Sequence, residues 1–114
     1  MSNNNVISVR NIDIGNEFAK ALGGRFKKDS DASGEEFLET ILEPAFLKHD
    51  AIIVHLDSLT GWSPGFMEEA FGGLVRKYGY EEVHKKIRFE TKKREYLVRI
   101  LDKYMREAEQ DRAP

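Results

Sequence analysis

Asp57, Ser58, Thr60 and Ser63 place one carboxylate and three hydroxyl groups in a single short loop. Ser63 is a preferred N-cap residue, and Pro64 suits the first helical position because its missing N–H is not needed there. A helix that begins here directs its free N–H groups and the positive end of its dipole at the loop, which favours an anion. The pattern predicts a binding site in which Ser63, Ser58 or Thr60 could accept a phosphoryl group.

The helix that follows this loop carries two glycines in its middle, Gly72 and Gly73. Each costs about 1 kcal/mol relative to alanine, so we expect something to approach closely there. Glu68 and Glu69 lie one turn before the glycines and Arg76 one turn after. Either a partner protein docks on this face, or a neighbouring helix of the same domain, such as the last one, packs over the glycines. With the loop, this face gives the predicted partner-binding set: Asp57, Ser58, Thr60, Trp62, Ser63, Glu68, Glu69, Gly72, Gly73 and Arg76.

A second helix start is marked by Ser33-Gly34-Glu35-Glu36, which has the pattern of a capping box. The Ser33 hydroxyl can accept a hydrogen bond from the backbone N–H of Glu36, which stabilises the helix without any functional role. Arg25 precedes this start in a polar loop, so Arg25 and Ser33 are candidate anion-binding residues. A weak phosphate-ester hydrolase that uses Arg25 and Asp57 is an alternative function.

Other catalytic and metal chemistry finds little support in the sequence. The chain has no cysteine, which excludes disulfides and thiolate ligands. His49, His55 and His84 lack the spacing of a metal site. Glu68 and Glu69 are adjacent, so on a helix they should diverge by about 100° rather than line one cleft. We therefore expect no metal, no cofactor and no enzymatic activity.

Three amphipathic helices must position these residues. Apolar side chains recur at helical spacing in residues 37–46, 66–78 and 96–105, in stripes wide enough to cover a sheet. A shorter helix is predicted over residues 14–22, with Asp13 as its cap. Pro44 interrupts the first stripe, which predicts a kink or break near Glu43.

Short apolar runs between the helices indicate strands. Residues 51–56 are nearly all apolar, as expected of a central strand covered on both faces, and residues 6–9 and 87–89 are candidate neighbours. Residues 25–31 read as a polar loop or a short ribbon in which Phe26 is the only large apolar residue. Strands alternating with helices predict an α/β fold with a mixed or mostly parallel sheet of about four strands and about four helices.

The length of 114 residues, with 40% hydrophobic and 33% charged residues, fits a single globular domain over residues 1–114. Residues 1–5 and 109–114 are predicted to be disordered tails. No apolar run approaches the ~20 residues of a membrane helix, and the first five residues do not resemble a signal peptide. We expect a cytoplasmic protein without a membrane partner.

The net charge of −2 conceals a basic stretch at residues 76–94. Such a stretch could bind phosphates, so a nucleic-acid-binding adaptor is a second alternative function. Glu81, Glu82 and Glu90 are interleaved with the basic residues, however, and this mixture favours a solvated, salt-bridged surface. Nucleic acid is therefore not the expected partner.

Residues 52–57 and 63–76, which include the run Glu68-Glu69-Ala70-Phe71-Gly72-Gly73-Leu74, resemble the STAS-like domain of unknown function found in bacteria. Gly24-Arg25 and residues 33–37 are similar to the second motif of that family, so the resemblance covers nearly the whole chain. STAS domains proper include the anti-sigma factor antagonists, whose strand–loop–helix carries a serine phosphorylated by a kinase that is itself the anti-sigma factor. The resemblance implies a STAS-like fold and partner switching with a kinase-like ATPase or an anti-sigma-like regulator.

The chain departs from the antagonists at the phosphorylation motif. The antagonists have Asp-Ser-Ser-Gly at the start of this helix, with the second serine as the acceptor, whereas this chain has Ser63-Pro64-Gly65-Phe66. If Ser63 replaces the aspartate, Pro64 and Gly65 stand where the serines would be. The switch could then use Ser63, Ser58 or Thr60, or could consist of binding alone.

Overall fold

The computed structural model describes residues 7–112, in which helices cover a parallel sheet of three strands. The strands are β1, Val9–Asp13; β2, Ala51–His55; and β3, Ile87–Glu90. β2 lies in the centre and pairs in parallel with both neighbours, in the order β1-β2-β3. An α/β fold with a mostly parallel sheet was predicted correctly, but the described part of the chain has three strands rather than about four. Residues 25–31 form a loop, not a ribbon.

Five helices occur within the same described residues, one more than predicted. They are α1, Ile14–Glu17; α2, residues 34–48; α3, residues 64–78; α4, Tyr80–Lys86; and α5, Glu95–Arg112. Both α2 and α3 contain a π-helical turn between two α-helical segments. In α2 the parts are Gly34–Phe37, Leu38–Leu42 and Glu43–Lys48, and in α3 they are Pro64–Met67, Glu68–Gly72 and Gly73–Tyr78.

Several element boundaries differ from the predictions. β1 begins at Val9 rather than at Val6, which lies outside the described residues. α1 ends at Glu17 because the chain then turns to pair with the loop after β2, where the Leu22 N–H donates to the Gly61 carbonyl at 3.1 Å. α2 continues through Pro44 without a break, since the π turn just before it changes the hydrogen-bond register that the proline ring would obstruct.

The C-terminal helix is also longer than predicted. α5 extends to Arg112, so residues 109–112 are helical rather than a tail. Glu109 fixes this end, because its carboxylate accepts a hydrogen bond of 2.9 Å from the backbone N–H of Tyr80 at the start of α4. Residues 113–114 of this predicted tail and the predicted tail at residues 1–5 lie outside the described part of the chain.

The hydrophobic core lies between the helices and one face of the sheet. Ile52 and Val54 of β2 are fully buried there. The prediction that both faces of β2 are covered is wrong for the described residues, because Ile53 and His55 on the opposite face are only half-buried. The connections from β1 to β2 and from β2 to β3 advance in the same direction across the sheet. Right-handed connections that advance in one direction place their helices on the same face of the sheet.

Candidate functional site

The helix starts of α2 and α3 meet at the loop formed by residues 23–32. Ser33 accepts a hydrogen bond from the Glu36 N–H at 3.1 Å, as the capping box predicts. Ser63 caps α3 in the same way, accepting from the Phe66 N–H at 3.1 Å, and its own hydroxyl donates to the Gly23 carbonyl at 2.8 Å. Ser63 therefore ties the loop to the start of α3.

The N–H groups that could bind an anion at α2 are already engaged. Gly34 donates to the Gly24 carbonyl at 2.9 Å, and Glu35 donates to the Arg25 carbonyl at 3.0 Å. Ser33 is fully buried. Both Ser33 and Arg25, the two candidate anion-binding residues, thus make their contacts within the chain.

Arg25 reaches across to α3, where it joins a cluster of four charged side chains. Its guanidinium donates to Glu68, and Arg76 donates to the other oxygen of the same carboxylate at 2.6 Å. Both arginines also lie 3.6 Å from Glu69 Oε1. Adjacent glutamates were expected to diverge, but the two arginines bridge them. The structure thus gathers Glu68, Glu69 and Arg76 of the predicted set and adds Arg25.

The two carboxylates of this cluster differ in their electrostatics. Burial raises the pKa of Glu68, but hydrogen bonds from Arg76 and Arg25 outweigh it, so the net pKa lies below the ordinary value. Burial also raises the pKa of Glu69, and there the charges of the same arginines compensate only in part, leaving a raised pKa. Glu68 is consequently the carboxylate at which the two arginines more than offset the effect of burial on the charged form.

Phe26 extends this cluster with an exposed aromatic ring. Its side chain is 37% exposed, and the Arg25 guanidinium lies 5.9 Å from the ring centroid. A shallow groove of about 380 Å³ runs beside it, lined by Phe26, Lys27, Lys28 and Glu35. We refer to Arg25, Phe26, Glu68, Glu69 and Arg76 together as the Arg25 face. Phe26 was not a predicted site residue, although its isolation in a polar loop was a usable signal.

The two glycines of α3 face the interior of the domain. Both are buried. A Cβ atom at Gly72 would lie 2.7 Å from Glu68 Oε2 and 3.5 Å from the Ala108 Cβ of α5, and one at Gly73 would lie 2.9 Å from the Leu38 Cδ2 of α2. Of the two explanations left open by the sequence, packing by the last helix and by α2 accounts for the glycines.

The loop after β2 is held by its own polar side chains. Ser58 donates to Asp13 at the end of β1, and this bond lowers the pKa of the Asp13 carboxyl. Asp57 accepts from the Thr91 hydroxyl and, at 2.7 Å, from the Lys92 N–H; the Thr91 bond contributes most to its lowered pKa. Asp57 and Ser58 therefore link the ends of all three strands.

The remaining loop residues are less constrained. The Thr60 side chain is exposed, while its backbone N–H donates to the Lys20 carbonyl at 2.8 Å. Trp62 is half-buried and packs against the core. Among the three predicted phosphoacceptors, Ser58 and Ser63 are half-buried and hydrogen-bonded, and Thr60 is the exposed one.

Residues 7–112 contain neither a candidate metal site nor a candidate membrane-spanning helix. No group of three or more histidine, aspartate or glutamate side chains there is arranged to hold a metal ion. No helix in this part of the chain is both long enough and apolar enough to cross a bilayer.

Comparisons with known proteins identify the family. Neither a curated protein nor a solved structure matches the chain. The model of one family, described as STAS-like domain of unknown function (DUF4325), matches residues 33–93. That match includes β2, α3 and β3 and hence most of the Arg25 face and the loop after β2. The chain belongs to this family of STAS-like domains.

Proposed function

We propose that the chain is a non-catalytic protein-interaction module that acts by partner switching, like the anti-sigma factor antagonists that it resembles. The partner would be a protein, such as a kinase-like ATPase or an anti-sigma-like regulator, in the cytoplasm. The observation that carries this proposal is the Arg25 face, where an exposed aromatic ring adjoins a prearranged set of paired charges.

The Arg25 face has features typical of protein-binding surfaces. Aromatic and arginine side chains are enriched at the centres of interfaces, where they contribute most of the binding energy. The contacts of Arg25 with Phe26 and Glu68 hold the arginine in place before binding. Preorganised side chains lose less entropy when a partner binds, which favours affinity.

The polar groups of the loop after β2 support a structural role more than a catalytic one. Asp57 and Ser58 are engaged by Thr91 and Asp13, and Ser63 is engaged by Gly23 and Phe66. For the alternative hydrolase, Arg25 and Asp57 would have to act together, yet each is held by a different part of the chain. A loop held by hydrogen bonds of this kind suits a recognition surface.

The basic stretch at residues 76–94 offers little support for nucleic-acid binding. Arg76 pairs with Glu68, Lys77 with Glu43 and Lys85 with Glu82. Lys86 donates to a backbone carbonyl, and Arg94 donates to two of them. Most of these cations are thus used within the domain, and a phosphate backbone would have to displace their partners.

If phosphorylation controls the switch, Thr60 is the acceptor that we propose. Its exposed side chain is accessible to a kinase in the folded state. Modification of Ser63 would instead remove the cap of α3 and the bond to the Gly23 carbonyl. A phosphoryl group on Thr60 would add negative charge to the loop without breaking these bonds.

Affinity capture from an extract of cells that naturally make the chain tests the proposal. The baits are the wild type, Phe26→Ser and, as a control with a similarly exposed aromatic residue, Tyr96→Ser, which is 46% exposed on α5. Circular dichroism establishes that all three are folded. We expect one protein to be captured by the wild type and by Tyr96→Ser but not by Phe26→Ser, with recovery that changes after phosphatase treatment or ATP addition. Recovery of nucleic acid alone, or equal capture by Phe26→Ser, would contradict the proposal.

A further inference from the structure

β3 forms an outer edge of the sheet that lies open. Among residues 7–112, no strand pairs with the side of β3 that faces away from β2. A groove of about 620 Å³ adjoins it, lined by residues 84–90 at the end of α4 and along β3, by Val98, Asp102 and Met105 of α5, and by Val9 and residues 51–53 of the other two strands. An extended segment therefore has access to this edge.

The backbone groups that face the groove follow from the pairing of β3 with β2. The Glu90 carbonyl accepts from the Leu56 N–H at 3.1 Å, so Glu90 faces β2. Because successive residues of a strand direct their backbone groups to opposite sides, Arg88 also faces β2, while Ile87 and Phe89 face the groove. The Ile87 N–H is used by the Val83 carbonyl at the end of α4, which leaves the Phe89 N–H and the carbonyls of Ile87 and Phe89 directed at the edge.

β3 carries two side chains of opposite charge on the uncovered face of the sheet. Arg88 and Glu90 are both exposed, and as residues two apart on a strand they share that face. Phe89 lies on the covered face, half-buried, with its ring 5.2 Å from that of Phe71. A short edge strand that only resisted pairing would be better protected by charges of one sign, as lysine-rich edges are.

We propose that the chain forms a homodimer in which β3 pairs in antiparallel orientation with β3 of a second copy, with Phe89 opposite Phe89 on the two-fold axis. In this register Arg88 lies directly opposite Glu90 of the second copy, and the reverse pair forms by symmetry. Opposite charges at such positions stabilise antiparallel strands. A register centred on Arg88 would place like charges opposite each other.

The same register also matches the backbone groups. Residues whose backbone groups face the edge meet one another across the two-fold axis. The two Phe89 residues therefore form a hydrogen-bonded pair, in which each N–H donates to the carbonyl of the other. The Ile87 carbonyl meets the Thr91 N–H of the second copy. The two Phe89 rings lie side by side on the covered face, and the two sheets become one continuous sheet of six strands. The charge pattern and the backbone directions thus both favour one occupant, a second copy of the chain.

Reversing the charges of Arg88 and Glu90, first singly and then together, tests the dimer. Sedimentation velocity over a range of concentrations measures the dissociation constant of the wild type, Arg88→Glu, Glu90→Arg and the double variant that carries both. Lys28→Glu, in the exposed loop beside Phe26, is the control, because it changes the net charge by the same amount as Arg88→Glu. None of the β3 residues belongs to the Arg25 face, so loss of the dimer and loss of partner capture can be told apart.

We expect the wild type and Lys28→Glu to dimerise alike and each single β3 variant to dimerise about tenfold more weakly, since two cross-strand pairs become repulsive. The double variant restores opposite charges across the axis and should recover wild-type dimerisation. A monomeric wild type at all concentrations, or a folded double variant that dimerises as poorly as the single variants, would overturn the proposal.

Discussion

Replacement of Gly72 by leucine tests how α3 packs within the domain. A Cβ atom at this position would lie 2.7 Å from Glu68 Oε2, closer than van der Waals contact allows, and 3.5 Å from the Ala108 Cβ of α5. The Glu68 carboxylate cannot simply rotate away, because Arg25 and Arg76 both hold it. The remaining leucine atoms would have to push α5 outward.

The expected change in stability combines three contributions. Leucine is a better helix former than glycine by about 0.8 kcal/mol, which opposes the damage. Overpacking of a buried position costs about 1–3 kcal/mol. Displacement of the partly exposed Glu68 from its arginines costs about 1 kcal/mol once solvent screening is included. The net loss is about 2 kcal/mol, which lowers the melting temperature of a domain of this size by about 10 °C.

Thermal unfolding followed by circular dichroism measures this loss. Gly61→Leu is the matched control, because a Cβ atom at Gly61 would meet nothing within 4 Å and its melting temperature should change little. If Gly72→Leu melted at the wild-type temperature, α5 would not be packed over the glycine as the structure has it. The glycines would then be open to a partner protein, the other explanation that the sequence allowed.

Two further predictions concern the Arg25 face and the start of α3. Glu68→Gln should lose about 1 kcal/mol of stability at pH 7, and the difference from wild type should shrink below the ordinary glutamate pKa of 4.5 and vanish as the pH falls through the lowered pKa of Glu68 in the folded domain, because a lowered pKa contributes stability only while the group is ionised. Glu69→Gln should cost little at pH 7, because burial outweighs the charges of the two arginines at Glu69 and leaves its pKa raised; equal losses in chemical denaturation would contradict this asymmetry. Ser63→Ala should destabilise the domain by about 1 kcal/mol through loss of the helix cap, whereas the exposed Thr60→Ala should not; the same unfolding midpoint for both would refute the capping role.

The features that the sequence predicted well depend on residues close together in the chain. Ser33 and Ser63 were identifiable as caps because each bonds an N–H three residues ahead. The interior of β2 and the apolar faces of α2, α3 and α5 followed from periodicity, which reflects burial directly. These local signals also carried the resemblance to the STAS-like family, which the family match confirms.

The features that the sequence did not predict depend on contacts between distant residues. Arg25 and Glu68 are 43 positions apart, and no local rule pairs them. The uncovered face of the sheet depends on how the crossovers run, which the composition of β2 does not reveal. The packing of Ala108 over Gly72 depends on the direction that α5 takes after β3. Each of these features is set by the tertiary arrangement of elements that are far apart in the sequence.

The dissociation constant of the captured partner tests the central claim most directly. Isothermal titration calorimetry with the purified partner would compare its binding to the wild type, to Phe26→Ser and to the control Tyr96→Ser. A central aromatic anchor contributes about 2 kcal/mol, so Phe26→Ser should bind roughly thirtyfold more weakly, while Tyr96→Ser binds like the wild type. Equal affinities for all three proteins would show that the partner does not use the Arg25 face and would contradict the account.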